Sequence, residues 1–201
     1  MSDLVSMTKV YIIESPSFND ILENRKEGGA LSKVLDLSKI RNELYNVSDI
    51  DTLRLALTQI AEEVNEIKSE LGAVHLHFSM HGSHEGIVLS DKTFLDWESF
   101  YILIKEFNDN IGYIELPNDQ KISPTYLTFS VCDGFHANTI KDFGKESPFT
   151  TLIGPVQPVT WSDSLLAYSI FFHNTIIKKL GTVTALENMN KIVGVEGVFQ
   201  A

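Results

Sequence analysis

The sequence predicts an α/β fold organised around a largely parallel sheet. Short runs that are apolar throughout alternate with longer segments of helical period, the pattern of strands covered on both faces by helices. A length of 201 residues suits a single domain, 1–201, and 43% hydrophobic with 21% charged residues is an ordinary globular composition.

In chain order, Val10-Tyr-Ile-Ile13 reads as the first strand, stopped by Ser15-Pro16. Glu23–Gly29 reads as a loop and Leu31–Leu37 as a short second strand. Asp51–Leu71 is the clearest helix: Ser48 or Asp49 supplies a cap, and Leu53, Leu57, Ile60, Val64 and Ile67 form one apolar stripe. The strand Val74–Met80 follows, then Ile87–Leu89 and a small hairpin at Ser90–Phe94. A helix is expected from about Trp97 to Phe107, and a surface loop over Asn108–Pro124, rich in Asn, Asp, Gly and Pro. Tyr126–Val131 is the next strand and Thr151–Ile153 a weaker one, broken by Gly154-Pro155. Ser162 or Asp163 caps a long helix over Leu165–Leu180, which Gly181 ends. A last helix near Val183–Met189 and an edge strand, Val195–Phe199, complete the chain.

Sixteen Lys and Arg against 27 Asp and Glu give a net charge of −11, a field that opposes nucleic acid and anionic membranes and favours basic partners. Solubility alone also accounts for such a charge. One cysteine allows no internal disulfide, the first residues lack the layout of a signal peptide, and no run is long enough to span a membrane. A cytoplasmic location is therefore expected.

The single cysteine, Cys132, closes the run Tyr126–Val131 and precedes Asp133-Gly134. His81 closes the run Val74–Met80 and precedes Gly82, 51 residues upstream of the cysteine. In an open parallel sheet, ligands bind outside the carboxyl ends of the strands. If the two runs are neighbours, thiol and imidazole emerge at one edge, where the imidazole can hold the sulfur as a thiolate and later protonate a leaving amine. Gly82, without a side chain, lets its N–H approach a substrate carbonyl, forming with the N–H of Cys132 an oxyanion hole. Taken singly, a cysteine ending an apolar strand is most often buried and inert, and His-Gly is most often a turn.

His75, His77, His81 and His84 also raise a metal reading, since His75, His77 and His81 alternate onto one strand face. Phe-Ser-Met separates His77 from His81 without a carboxylate, so no metal is expected. His75 and His77 read as core histidines hydrogen-bonded beneath the edge, and His136 and His173 as weaker candidates for the base. No motif calls for a cofactor.

Phe78-Ser-Met-His-Gly-Ser-His-Glu-Gly86, Leu89-Ser-Asp91, Phe94-Leu-Asp-Trp97 and Leu127-Thr-Phe-Ser-Val-Cys-Asp-Gly134 together resemble the CHAT and caspase families of clan CD cysteine peptidases. Leu152–Asp163, then Ala167–Phe172, Gly181 and Ala185-Leu186 are similar to the CHAT pattern downstream, so the resemblance covers roughly residues 70–190. It implies a caspase-like three-layer α/β/α sandwich with His81 as general base and Cys132 as nucleophile. Ser130-Val131 stands where animal caspases have Gln-Ala, and Gln157 where the CHAT pattern often has tryptophan.

Caspases bind a P1 aspartate with arginines, whereas many relatives use an acid for P1 Arg or Lys. Arg25, Arg41 and Arg54 all precede the catalytic edge, while Asp133 and Asp163 lie in or after it. The expectation is a basic P1 bound by Asp133 and Asp163; a helix cap explains Asp163 equally well. The function expected is that of a cysteine endopeptidase acting on a protein substrate under control of a regulatory protein or ligand, as in prokaryotic defence systems. Loop 108–124, with Lys121, is a place for activation or cleavage. A silent relative serving as an interaction or regulatory module is the alternative, and a cysteine hydrolase or acyltransferase of small amides a third.

Overall fold

The computed structural model describes residues 8–67, 73–115, 121–144, 146–194 and 197–201. Its sheet runs in the order β10-β9-β8-β3-β1-β2, with β1 Thr8–Ser15, β2 Arg41–Asn46, β3 Ala73–Ser83, β8 Thr125–Ser130, β9 Thr151–Pro155 and β10 Phe199–Gln200. Every pairing from β2 to β9 is parallel, and only β10 joins antiparallel. β4 (Gly86–Val88) folds back on the end of β3 and pairs with β5 (Phe94–Asp96), forming an antiparallel extension.

Helices cover both faces, giving a three-layer α/β/α sandwich. Tyr11, Ile13, Leu76, Phe78, Leu127 and Phe129 pack against α3 (Ile50–Ile67) and α4 (Trp97–Ile111). Val10, Ile12 and Ile153 pack on the opposite side against α2 (Glu27–Leu37), α5 (Trp161–Phe172) and α6 (Thr182–Ile192). This alternation along β1 is the period-2 consequence of a strand buried on both faces. The stripe predicted on α3 holds: Leu53, Leu57, Ile60 and Val64 are buried, each worth roughly 1.5–3 kcal/mol.

Several elements differ from expectation. Leu31–Leu37 is the body of α2, not a strand, because Leu31 and Leu35 are the buried pair, one helical turn apart, while Leu37 faces solvent. The second strand is instead β2, a half-exposed edge whose Arg41-Asn-Glu-Leu-Tyr-Asn46 carries no apolar run. A short helix, α1 (Phe18–Leu22), follows β1 where only a stop was expected. Helix α3 is described to Ile67; the remainder of the predicted helix, residues 68–71, lies outside the described residues.

The expected loop 108–124 begins inside α4 and contains a minimal antiparallel pair, β6 (Ile114–Glu115) with β7 (Lys121–Ile122); residues 116–120 lie outside the described set. Thr160 caps α5, in place of Ser162 or Asp163, and the helix continues through a π-turn at His173–Ile177. The expected edge strand Val195–Phe199 is described only in part, as β10.

The chain leaves β1 to build β2 on one side, then crosses to β3 on the other. That reversal opens a crevice at the carboxyl ends of β1 and β3, the place where open α/β sheets bind ligands. Among the described residues no helix is long and apolar enough to cross a membrane.

Candidate active site

β3 and β8 are hydrogen-bonded neighbours, with Ser79 opposite Ser130. Their ends carry the two residues singled out in the sequence, and His81 and Cys132 line a single cavity of about 260 Å³ with Arg25, Met80, Ser130, Val159, Thr160 and Trp161.

Cys132 sits at the second position of a tight turn closed by Gly134 N–H donating to the Val131 carbonyl at 2.9 Å. Asp133 occupies the third position at φ 58°, ψ 21°, the left-handed conformation that Asp tolerates better than most residues. Gly134 admits no side chain, since a Cβ there would lie 2.7 Å from the Cβ of Phe129. The thiol is half-buried and donates to the Val159 carbonyl at 3.9 Å rather than to the imidazole. Gly82 is required for a similar reason: a Cβ would meet Cγ1 of Val131 at 2.4 Å and the Gly86 carbonyl at 2.7 Å. Glycine thus lets the β3 tip close onto the residue preceding the nucleophile candidate.

Three residues gather near His81 that the sequence did not place there. Asp20, on α1, has its side chain only 1% exposed, and its Oδ2 lies 2.6 Å from Nε2 of His81. Trp161, the first residue of α5, donates its indole N–H to Asp20 Oδ1 at 3.2 Å and packs edge-on against the His81 ring at 5.3 Å. Arg25 contacts the same Oδ1 at 3.3 Å and Glu23 at 2.9 Å. The backbone N–H and hydroxyl of Ser17 complete the shell around Oδ2 and close a capping box with Asp20. Burial alone would raise the Asp20 carboxyl, but hydrogen bonds from Ser17, His81 and Trp161 outweigh it and hold the group at about 2. Asp20 is therefore ionised at neutral pH and accepts from every partner.

Comparison with models of known protein families and with curated proteins finds no match to this chain. The chemistry of the site thus rests on its own geometry.

Asp133 and Asp163, expected to bind a basic side chain, do not line the cavity. Asp163 instead accepts from the Thr160 hydroxyl at 2.8 Å while its own N–H donates back to Thr160 at 3.1 Å, so it closes the α5 cap. Acidic groups occur elsewhere, beneath the strand ends on the α2 face. Ser130, in the cavity wall, hydrogen-bonds Nε2 of His77 at 3.3 Å, and the same nitrogen lies 3.5 Å from Glu27 Oε2. Glu14 caps α2 by accepting from Gly28 N–H at 2.8 Å. Oε2 of Glu14 and Oε1 of Glu27 are buried without a hydrogen-bond partner. Burial, reinforced by the nearby Glu27 charge, raises the Glu14 carboxyl.

The remaining histidines divide. His77 is bonded as expected, with Nδ1 2.9 Å from the Thr128 hydroxyl. His75 is not: its Nδ1 is an orphan, and the ring is held by stacking on Tyr126 at 4.7 Å. His136 and His84 face each other at 6.1 Å between ring centres, away from the cavity lining. Among the described residues no cluster of His, Cys, Asp and Glu suits a metal ion.

Proposed function

We propose that this protein is a caspase-like cysteine endopeptidase of the CHAT type, acting in the cytoplasm through Cys132 as nucleophile and His81 as general base. The observation that carries this reading is the shared cavity: a thiol and an imidazole from adjacent parallel strands, at the edge where such sheets bind ligands. Attack by sulfur on a peptide carbonyl forms the acyl-enzyme while His81 delivers its proton to the departing amine; water then hydrolyses the thioester. The Gly82 and Cys132 N–H groups are the proposed donors to the oxyanion.

A basic P1 remains the favoured substrate class, with different carriers. Asp20 and Glu23 place two carboxylates on Arg25, the cation in the cavity wall. That surplus of negative charge suits a Lys or Arg side chain. Control by a regulatory protein or ligand, in a prokaryotic defence setting, is part of the same proposal and rests on the family resemblance.

A silent interaction module is the second reading, favoured by one observation: the thiol points its hydrogen bond at Val159. An active-site thiol probe with peptide-library profiling separates the two. Labelling lost in Cys132→Ala and His81→Ala, with cleavage after Lys or Arg, supports the peptidase; cleavage after Asp overturns the P1 assignment, and an unreactive thiol favours the module.

A further inference from the structure

We infer that Asp20 is a third member of the proposed catalytic set, a positioning residue that fixes which nitrogen of His81 faces the thiol. The inference rests on the peptidase reading and adds a residue from outside the region of family resemblance.

The argument is one of donors and acceptors. An ionised carboxylate only accepts hydrogen bonds, and Asp20 stays ionised near neutral pH. At 2.6 Å from Asp20 Oδ2, the Nε2 of His81 must therefore carry a proton. In the neutral ring that places the lone pair on Nδ1, the nitrogen left to take a proton from Cys132. Nothing else in the shell competes for the role, because Ser17, Trp161 and Arg25 all donate to the same carboxylate. The contact also holds the ring in place: the carboxylate at one end and the Trp161 edge at 5.3 Å restrict its rotation, although the imidazole is 46% exposed.

Asn at position 20 exposes this dependence. With its amide nitrogen in the Oδ2 position, it donates to Nε2 and forces the proton onto Nδ1, where the ring can no longer accept from sulfur. With the amide nitrogen in the Oδ1 position, it opposes the Trp161 indole and the Arg25 guanidinium, both donors. Neither orientation reproduces the native pattern.

The test is ¹⁵N-histidine NMR of the whole chain, together with iodoacetamide alkylation of Cys132 at pH 7, in the unaltered protein, Asp20→Asn and His81→Ala. The unaltered protein is expected to show His81 with Nε2 protonated and Nδ1 either bare or carrying the proton taken from Cys132. Asp20→Asn should deplete the Nε2-protonated tautomer and slow alkylation by up to about tenfold, toward the rate of His81→Ala. An ordinary thiol is only about 3% ionised at pH 7, and the greater nucleophilicity of a more basic thiolate recovers part of the ~30-fold deficit. A neutral His81 ring in the unaltered protein with its proton on Nδ1 and Nε2 bare overturns the inference without any variant having to fold. So does a folded Asp20→Asn with unchanged alkylation. If the peptidase reading itself fails, the unaltered thiol alkylates no faster than in His81→Ala while the tautomer still reports on Asp20.

Discussion

His75 offers a quantitative test of the packing beneath the carboxyl ends of the strands. Its ring is buried between Tyr126, stacked at 4.7 Å, and Phe172, edge-on at 6.0 Å, with Nδ1 lacking a partner. Burial lowers its protonation midpoint from 6.5 to about 4. The unfolded chain therefore binds a proton near pH 6.5 that the native state refuses until about pH 4. A base with a depressed native midpoint costs stability as pH falls through that window and nothing above it. Linkage at pH 5 gives about 2 kcal/mol of lost stability relative to pH 7, and about 3 kcal/mol by pH 4.

His75→Phe keeps a stacking ring and removes the titration. Urea denaturation at pH 7 and pH 5 should show the unaltered protein losing about 2 kcal/mol more than the variant. Comparing the two slopes cancels the other titrating groups, including Glu14, whose raised carboxyl acts in the opposite sense. Slopes that agree within about 0.5 kcal/mol would refute the assignment of a neutral, desolvated ring.

Further outcomes follow from contacts near the strand tips. Gly82→Ala should destabilise the protein by about 1–3 kcal/mol, because the new methyl meets Val131 and the Gly86 carbonyl; a thermal melt unchanged from the parent would contradict the close approach of β3 to β8. Tyr168→Phe removes a hydroxyl that donates to the Phe129 carbonyl at 2.7 Å, with Ile153 O at 3.2 Å, and should cost about 1 kcal/mol in chemical denaturation without affecting thiol labelling.

What the sequence showed of this fold, it showed through periodicity. β1, β3 and β8 are buried over most of their length because both faces are covered, which makes their runs rich in apolar residues, and α3 carries its stripe because only one face is. The tips of β3 and β8 were legible for the same reason: the runs end at His81-Gly82 and Cys132-Asp-Gly134. β2 escaped notice because an edge strand need not be apolar, and α2 because Gly28-Gly29 at its start imitates a loop. Gly28 is in fact demanded by packing, as a Cβ would lie 2.9 Å from Ile12. Asp20 had no signature at all, and nothing in the sequence joined it to Arg25 and Trp161. Their meeting depends on how α1 and α5 dock over the crevice, and no local spacing encodes it. At Asp163 the sequence left a substrate carboxylate and a helix cap equally open, and the structure shows the cap.

The indole of Trp161 reaches the carboxylate of Asp20 across 141 residues of sequence. During synthesis the sulfur and the imidazole emerge well before that tryptophan does. The shell around the carboxylate therefore closes only when most of the polypeptide has left the ribosome. Until α5 docks, the carboxylate lacks its indole donor and the His81 ring lacks the edge that packs against it.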